Sequence, residues 1–181
     1  MVFNQSKISV LEIVIAFIFL VGCSTTSYPP VTTGSFQAVT GRDLRIVTGQ
    51  TLYVPAYSEV LLGNDTRTHE LVVTLAVHNT AFDAPIIIQS VRYYDTNGEL
   101  VRNYVDDPIE VSPLATTGFL VEARDTSGGW GSNFIVEWVA EEPVSEPIVE
   151  AIMVSKSGSQ GISMISLGRV ISHTDADEPD E

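Results

Sequence analysis

The sequence predicts an all-β protein, an immunoglobulin-like antiparallel β-sandwich of about 7–9 strands, with a jelly roll or small barrel as the alternative architecture. Three observations lead there. Leu71, Val73, Leu75 and Val77 alternate along one face of an extended run, with Thr74 and His78 on the other. Runs of strand length recur along the chain and are separated by Gly, Pro, Ser or Asp. No segment sustains the 3.6-residue apolar stripe of an amphipathic helix.

From Thr51 onward each element can be justified in turn. After the run through Val77, residues 86–94 form a long strand dense in Ile, Val and Tyr. Asp95-Thr96-Asn97-Gly98 then supplies a hairpin turn, because Asn-Gly readily takes the positive φ angles of a type I′ turn. Residues 99–105 return. Further strands fall at 114–123, 133–140, 148–156 and 162–172; in the second of these Phe134, Val136 and Trp138 alternate with polar Glu137. The sandwich is therefore assigned to residues 50–172, and residues 173–181, rich in acids, to a disordered tail.

The N-terminal part reads differently. Residues 8–21 are apolar except for Ser9 and Glu12, and Lys7 is the one positive charge before them. This run is short of the roughly 20 residues that span a bilayer and has the length of a signal-peptide hydrophobic region. It ends in Leu20-Val21-Gly22-Cys23, and Cys23 is the only cysteine of the 181 residues. The arrangement is similar to a bacterial lipoprotein signal, which implies a leader over residues 1–22 and lipid on Cys23. Several acyl chains on one residue anchor a protein stably. By the same resemblance Ser24, in place of Asp, favours the outer membrane over the inner one. Residues 23–49, rich in Ser, Thr, Pro and Gly and including Pro29-Pro30, are expected to form the lipidated N-terminus and a flexible tether, within which 44–48 could pack as an edge strand. With Cys23 lipidated, no thiol is left for a disulfide, and the core alone must hold the domain together.

The formal charge of −14 narrows the partners. Such a surface repels phosphate backbones, which argues against nucleic acid, and it repels anionic headgroups, which suits a domain held off the membrane.

At this point a resemblance to a known family emerges. Val77-His78-Asn79-Thr80, Tyr93-Tyr94-Asp95-Thr96-Asn97-Gly98, Gly131-Ser132-Asn133-Phe134-Ile135-Val136-Glu137-Trp138 and Gly158-Ser159-Gln160-Gly161-Ile162-Ser163 carry it. Over residues 52–171 the chain resembles a family of bacterial lipoproteins catalogued only as a domain of unknown function. The resemblance implies an envelope protein and brings no activity, ligand or catalytic residue with it.

The motifs of chemistry are largely missing. His69 and His78 are nine apart on what reads as one strand, hence on opposite faces and unable to chelate one metal; His173 lies near the tail. Asp95-Thr96-Asn97-Gly98 has its glycine fourth, where an EF-hand loop needs it sixth. Asp106-Asp107-Pro108 and Glu141-Glu142-Pro143 read as solvated acid pairs in turns. There is no G-x-S-x-G elbow and no phosphate loop, and Gly128-Gly129-Trp130-Gly131 lacks the third glycine and following helix of a dinucleotide site. No metal, cofactor or catalytic residue is expected, and no enzyme.

What remains is the loop over residues 124–133, where Trp130 stands among three glycines. If consecutive strands alternate direction, this loop shares one end of the sandwich with the hairpin 95–98 and residues 156–161. Segments 81–85, 106–113 and 141–147 then share the other. Trp130, Arg124, Asp125, Asn133 and Lys156 would form a ligand or partner patch. In the opposing reading the glycines serve turn geometry and Trp130 folds back as a lid on the core. The function expected is that of a lipid-anchored envelope protein acting as a non-catalytic binding or scaffolding module, meeting another envelope protein through a loop end or an exposed strand edge. Recognition of a glycan or small ligand at the Trp130 end is the second reading, and a hydrolase whose residues converge only in space the third.

Overall fold

The computed structural model describes residues 36–61, 67–157 and 160–175. Its strands are β1 (Phe36–Ala38), β2 (Thr48–Pro55), β3 (Glu59–Leu61), β4 (Thr68–Glu70), β5 (Val72–His78), β6 (Ile86–Tyr94), β7 (Leu100–Asn103), β8 (Ile109–Val111), β9 (Thr116–Val121), β10 (Asn133–Ala140), β11 (Ile148–Ser157), β12 (Gln160–Leu167) and β13 (Arg169–Asp175), with one 3-10 turn at Gly129–Gly131. They form an all-β antiparallel sandwich. One sheet runs β1-β8-β6-β10-β2-β13, with β7 also on β6; the facing sheet runs β12-β11-β5-β9; β3 and β4 make a small ribbon. The sheets do not close into a barrel.

The segments outnumber the expected strands for identifiable reasons. β7 and β8 both pair antiparallel to β6, at opposite halves of it, so the chain runs on in one direction from 100 to 111. Asp106-Asp107-Pro108 therefore lies along a sheet edge and makes no reversal at an end of the sandwich. The run read as one strand over 162–172 is broken at Gly168. Before it β12 pairs with β11, and after it β13 pairs with β2, so this run passes from one sheet to the other.

The period-two pattern becomes the core. Val73, Leu75 and Val77 of β5 meet Val136, Phe134 and Trp138 of β10, Ile86, Ile88 and Val91 of β6, and Met153 of β11, all essentially without solvent exposure. An aromatic group fills the side between β9 and β6: Tyr93 lies 4.8 Å from Phe134, and Tyr104 lies 5.8 Å from Phe119 and 5.9 Å from Phe134. The Tyr104 hydroxyl donates across to the Leu120 carbonyl at 3.1 Å. Burial pushes its pKa up to about 12, since the phenolate would be stranded there without water.

Three expected boundaries change. The fold reaches back well into the stretch assigned to the tether: β1 pairs with β8, residues 39–47 cross the ends of the intervening strands, and β2 begins at Thr48. Val39 donates to the Pro108 carbonyl (2.7 Å), Arg42 meets Glu141 (2.7 Å), and Val47 donates to the Ala140 carbonyl (2.9 Å). Residues 44–47 are not a strand, and β2 is an interior strand flanked by β10 and β13. At the other end His173–Asp175, assigned to the tail, complete β13. Cys23, the rest of the leader, and residues 176–181 lie outside the described residues.

The hairpin between β6 and β7 also differs from its expected type. Gly98 has φ +82 whereas Asn97 does not have positive φ, and the Gly98 N–H returns to the Asp95 carbonyl at 3.0 Å. This is a type I turn followed by a left-handed glycine. The Asp95 carboxylate decides it by accepting from the backbone N–H groups of Asn97 and Glu99, each at 2.8 Å. Those bonds, Glu99 first, hold its pKa below the ordinary aspartate value.

Candidate functional site

The loop after β9 begins with a turn in which Asp125 N–H donates to the Glu122 carbonyl at 3.1 Å. Arg124, third in that turn, has φ +74, a conformation that costs a branched or long side chain about 1 kcal/mol or more. Asp125 faces inward to its own loop: it accepts from Arg102 (3.1 Å) and from the Ser127 hydroxyl and backbone N–H.

The glycine segment is held from three sides. The Thr96 N–H (2.9 Å) and hydroxyl (3.0 Å) point to the Gly128 carbonyl, and the same hydroxyl oxygen accepts from Gly131 N–H at 3.0 Å. Ser58 donates to the Gly129 carbonyl from its hydroxyl at 3.1 Å. Beneath lies a buried chain in which the Tyr93 hydroxyl donates to Ser132 Oγ (3.0 Å) and Ser132 donates to the Ala56 carbonyl (2.7 Å). Burial raises the pKa of Tyr93, more than Ser132 lowers it. Gly128 sits directly on this hydroxyl: a β-carbon there would be 1.9 Å from Tyr93 Oη. Gly129 has φ +73. The glycines thus meet turn geometry and close approach, as the opposing reading held. Trp130, however, is not a lid on the core; its side chain is 55% exposed.

The remaining patch residues divide. Arg124 is exposed and lines an open cleft of about 510 Å³, shared with Thr68, His69 and Glu70 of β4 and with Ser155 of β11. Asn133 is buried as the first residue of β10, pairing with Pro55 and Tyr94, so it cannot belong to an exposed patch. Lys156 stands opposite Gly161 at the end of β11, and its side chain lies outside the described residues. The hairpin 95–98 does meet the Trp130 loop, through Thr96.

His69 and His78 are not on one strand. His69 is on β4 opposite Val60, while His78 on β5 bonds Thr116 (2.9 Å) and approaches Glu150 (3.5 Å) as part of the sheet surface. Among the described residues no group of three or more His, Cys, Asp and Glu is placed to hold a metal ion. Glu141 accepts from the Arg45 N–H as well as pairing with Arg42.

The opposite end is tied by Asn79. Its Nδ2 donates to the Ala84 carbonyl (2.9 Å) and to the carbonyls of Val111 and Ser112 (both 3.1 Å), while its Oδ1 accepts from Ala81 N–H (2.9 Å). Thr80 donates to the Glu146 carbonyl at 2.8 Å. Sequence reasoning placed the hairpin of Thr96 beside this loop but missed Ser58, which holds it, and Thr68 and Ser155, which line the cleft beside Arg124. No local pattern marks them, because each reaches the site through a strand pairing or loop contact distant in sequence.

Together these features define a β-sandwich domain in which one end is knotted by a buried asparagine and the other carries a fixed glycine-rich loop. The chain belongs to the family described as protein of unknown function, DUF3124, whose model matches residues 49–171. No curated protein matches the chain. The crystal structure of Thermotoga maritima 1070 is similar over 66% of this chain and 92% of that one, at 12% identity and a TM-score of 0.38. The quoted Val77–Thr80, Tyr93–Gly98 and Gly131–Trp138 segments coincide with the Asn79 knot, the Asp95 hairpin and the Ser132 bridge.

Proposed function

We propose that this is a lipid-anchored bacterial envelope protein, held through Cys23, that works as a non-catalytic binding module and meets another envelope protein with the end that carries Trp130. One observation carries the reading: an indole held 55% exposed on a loop whose backbone is fixed from Thr96 and Ser58. A large aromatic presented on a rigid frame loses little entropy on docking and is the kind of residue that dominates interface energies. The Leu20-Val21-Gly22-Cys23 motif supports the anchor, the outer membrane being favoured, and the absence of a nucleophile, phosphate or metal motif in the sequence supports binding without catalysis.

The test is crosslinking in living cells followed by mass spectrometry, comparing the unaltered protein with Trp130→Ala and Cys23→Ser. A dominant protein partner lost in both variants is expected. A partner retained in full by Trp130→Ala refutes the assigned contact, and one retained by Cys23→Ser refutes the dependence on the anchor.

The cleft beside Arg124 favours a second reading, recognition of a glycan or small ligand at the same end. Calorimetric titration with cell-wall fragments should then show binding that is lost in Arg124→Ala.

A further inference from the structure

The loop between β5 and β6 holds an aromatic side chain out in water. Phe82 is 84% exposed, more than any other large apolar residue among those described. Its loop is firmly tied: Asn79 accepts from Ala81 N–H and donates to the Ala84 carbonyl, and Leu114 N–H donates to the Ala81 carbonyl at 3.1 Å. That last bond brings Leu114 beside the tip. Leu114 is exposed as well, and it holds a φ of +56 that glycine would adopt without strain. Ile148, opposite His78 at the same end, is a third exposed apolar residue. Scattered exposed apolar residues are ordinary, but three gathered at one end, two of them on loops fixed by one asparagine, call for a partner.

The chain leaves the fold toward Cys23 at this same end. Asn79 donates to the Val111 carbonyl, and Val111 pairs with Phe36, the first described residue. Residues 24–35 join Phe36 to Cys23, and drawn straight at about 3.3–3.6 Å each they reach about 45 Å at most. The Trp130 end lies a further length of β6 away, about 30 Å. A membrane holding lipid on Cys23 therefore meets the Phe82 end first. Charge narrows the kind of surface. Asp83 and Glu142 are exposed here, and Arg42 is already paired with Glu141. Anionic headgroups are repelled, whereas zwitterionic ones offer no net charge to oppose the apolar tip.

We infer that this end docks on the zwitterionic lipid surface that holds the anchor, with Phe82 and Leu114 entering the interfacial layer and Trp130 directed away from it. The docking rests on Cys23 carrying lipid. Two side chains bury too little area to hold a protein at a bilayer alone, but an anchor keeps the surface at high effective concentration. A tip already fixed by Asn79 also loses little freedom on entering.

The test uses the full chain carrying lipid on Cys23, reconstituted into phosphatidylcholine vesicles with brominated acyl chains, with Phe82→Trp as the reporter. The protein should float with the vesicles, and the added tryptophan should emit to the blue and be quenched beyond the level of the unaltered protein. Replacing part of the lipid with phosphatidylglycerol should weaken that quenching, and salt should restore it. Adding Leu114→Gly should reduce it while leaving the melting temperature no lower, which separates loss of docking from loss of fold. Flotation with the added tryptophan unquenched overturns the docking and leaves the anchor standing. Failure to float overturns the anchor itself, and the docking with it.

Discussion

Gly128→Ala should be far more damaging than its position in a surface loop suggests. The added β-carbon would lie 1.9 Å from Tyr93 Oη, 2.5 Å from Tyr93 Cζ and 2.7 Å from Ser132 Cβ. Tyr93 cannot retreat, because it is buried against Phe134 and its hydroxyl is bonded to Ser132. The loop must lift instead, breaking the bonds from Thr96 and Ser58 to the Gly128 and Gly129 carbonyls. Overpacking costs about 1–3 kcal/mol, and each of these hydrogen bonds about 0.5–1.5 kcal/mol net. A loss of about 3 kcal/mol follows, or about 1.5 M in urea midpoint at an m-value of about 2 kcal/mol/M. Gly98→Ala is the internal control: its φ of +82 is strained for alanine, but nothing lies within 4 Å, so about 1 kcal/mol is expected. Urea unfolding followed by the buried Trp138 would measure both. Pairing Gly128→Ala with Tyr93→Phe should give less than the sum of the single losses, because the hydroxyl is the nearest obstacle. A Gly128→Ala cost no larger than that of Gly98→Ala, or strict additivity with Tyr93→Phe, would refute the close-approach argument.

Asn79→Ala should cost about 3 kcal/mol in chemical denaturation, because it removes a buried amide and leaves three carbonyls and the Ala81 N–H without it. Leu114→Gly should raise the melting temperature slightly. Leu114 has φ +56 and is 61% exposed, so relief of about 1–2 kcal/mol of strain outweighs the extra unfolded-state entropy of glycine. Stability should fall above pH 10. The folded pKa of Tyr104, about 12, is above its unfolded value, so its contribution is complete below pH 10 and is lost as pH rises toward 12. In Tyr104→Phe a pH titration of the unfolding midpoint should show a shallower decline over that window.

The parts of this fold that could be read in the sequence are those governed by near neighbours. The alternation at 71–77 becomes the inner face of β5, the run from Asn133 to Ala140 is β10 to the residue, and Asp95–Gly98 is a hairpin turn even though its type differs. What was hidden depends on partners far along the chain. Nothing around Phe36 announces Val111 as its neighbour, and the apolar run over 162–172 gives no sign that the chain changes sheets at Gly168. Alternation also cannot tell a reversal from a kink, which is why Asp106–Pro108 was placed at an end. The Trp130 loop stood out by composition, but whether its indole faced inward depended on Thr96 and Ser58, 34 and 72 positions away. Asn133 looked like a loop polar residue because burial of a strand's first residue leaves no mark on its type.

The crossing of residues 39–47 gives the domain a graded mechanical entry. A pull applied from the N-terminal side first loads β1, whose three residue pairs with β8 can be peeled one at a time. The load then reaches the Arg42–Glu141 contact and the Val47–Ala140 bond. Only after these yield does it act on β2, zipped to β10 on one side and β13 on the other, where many bonds share the force at once. The outer section is thus held by three residue pairs where β2 is held by strands on both sides, and its contacts lie at the end of the sandwich away from Trp130.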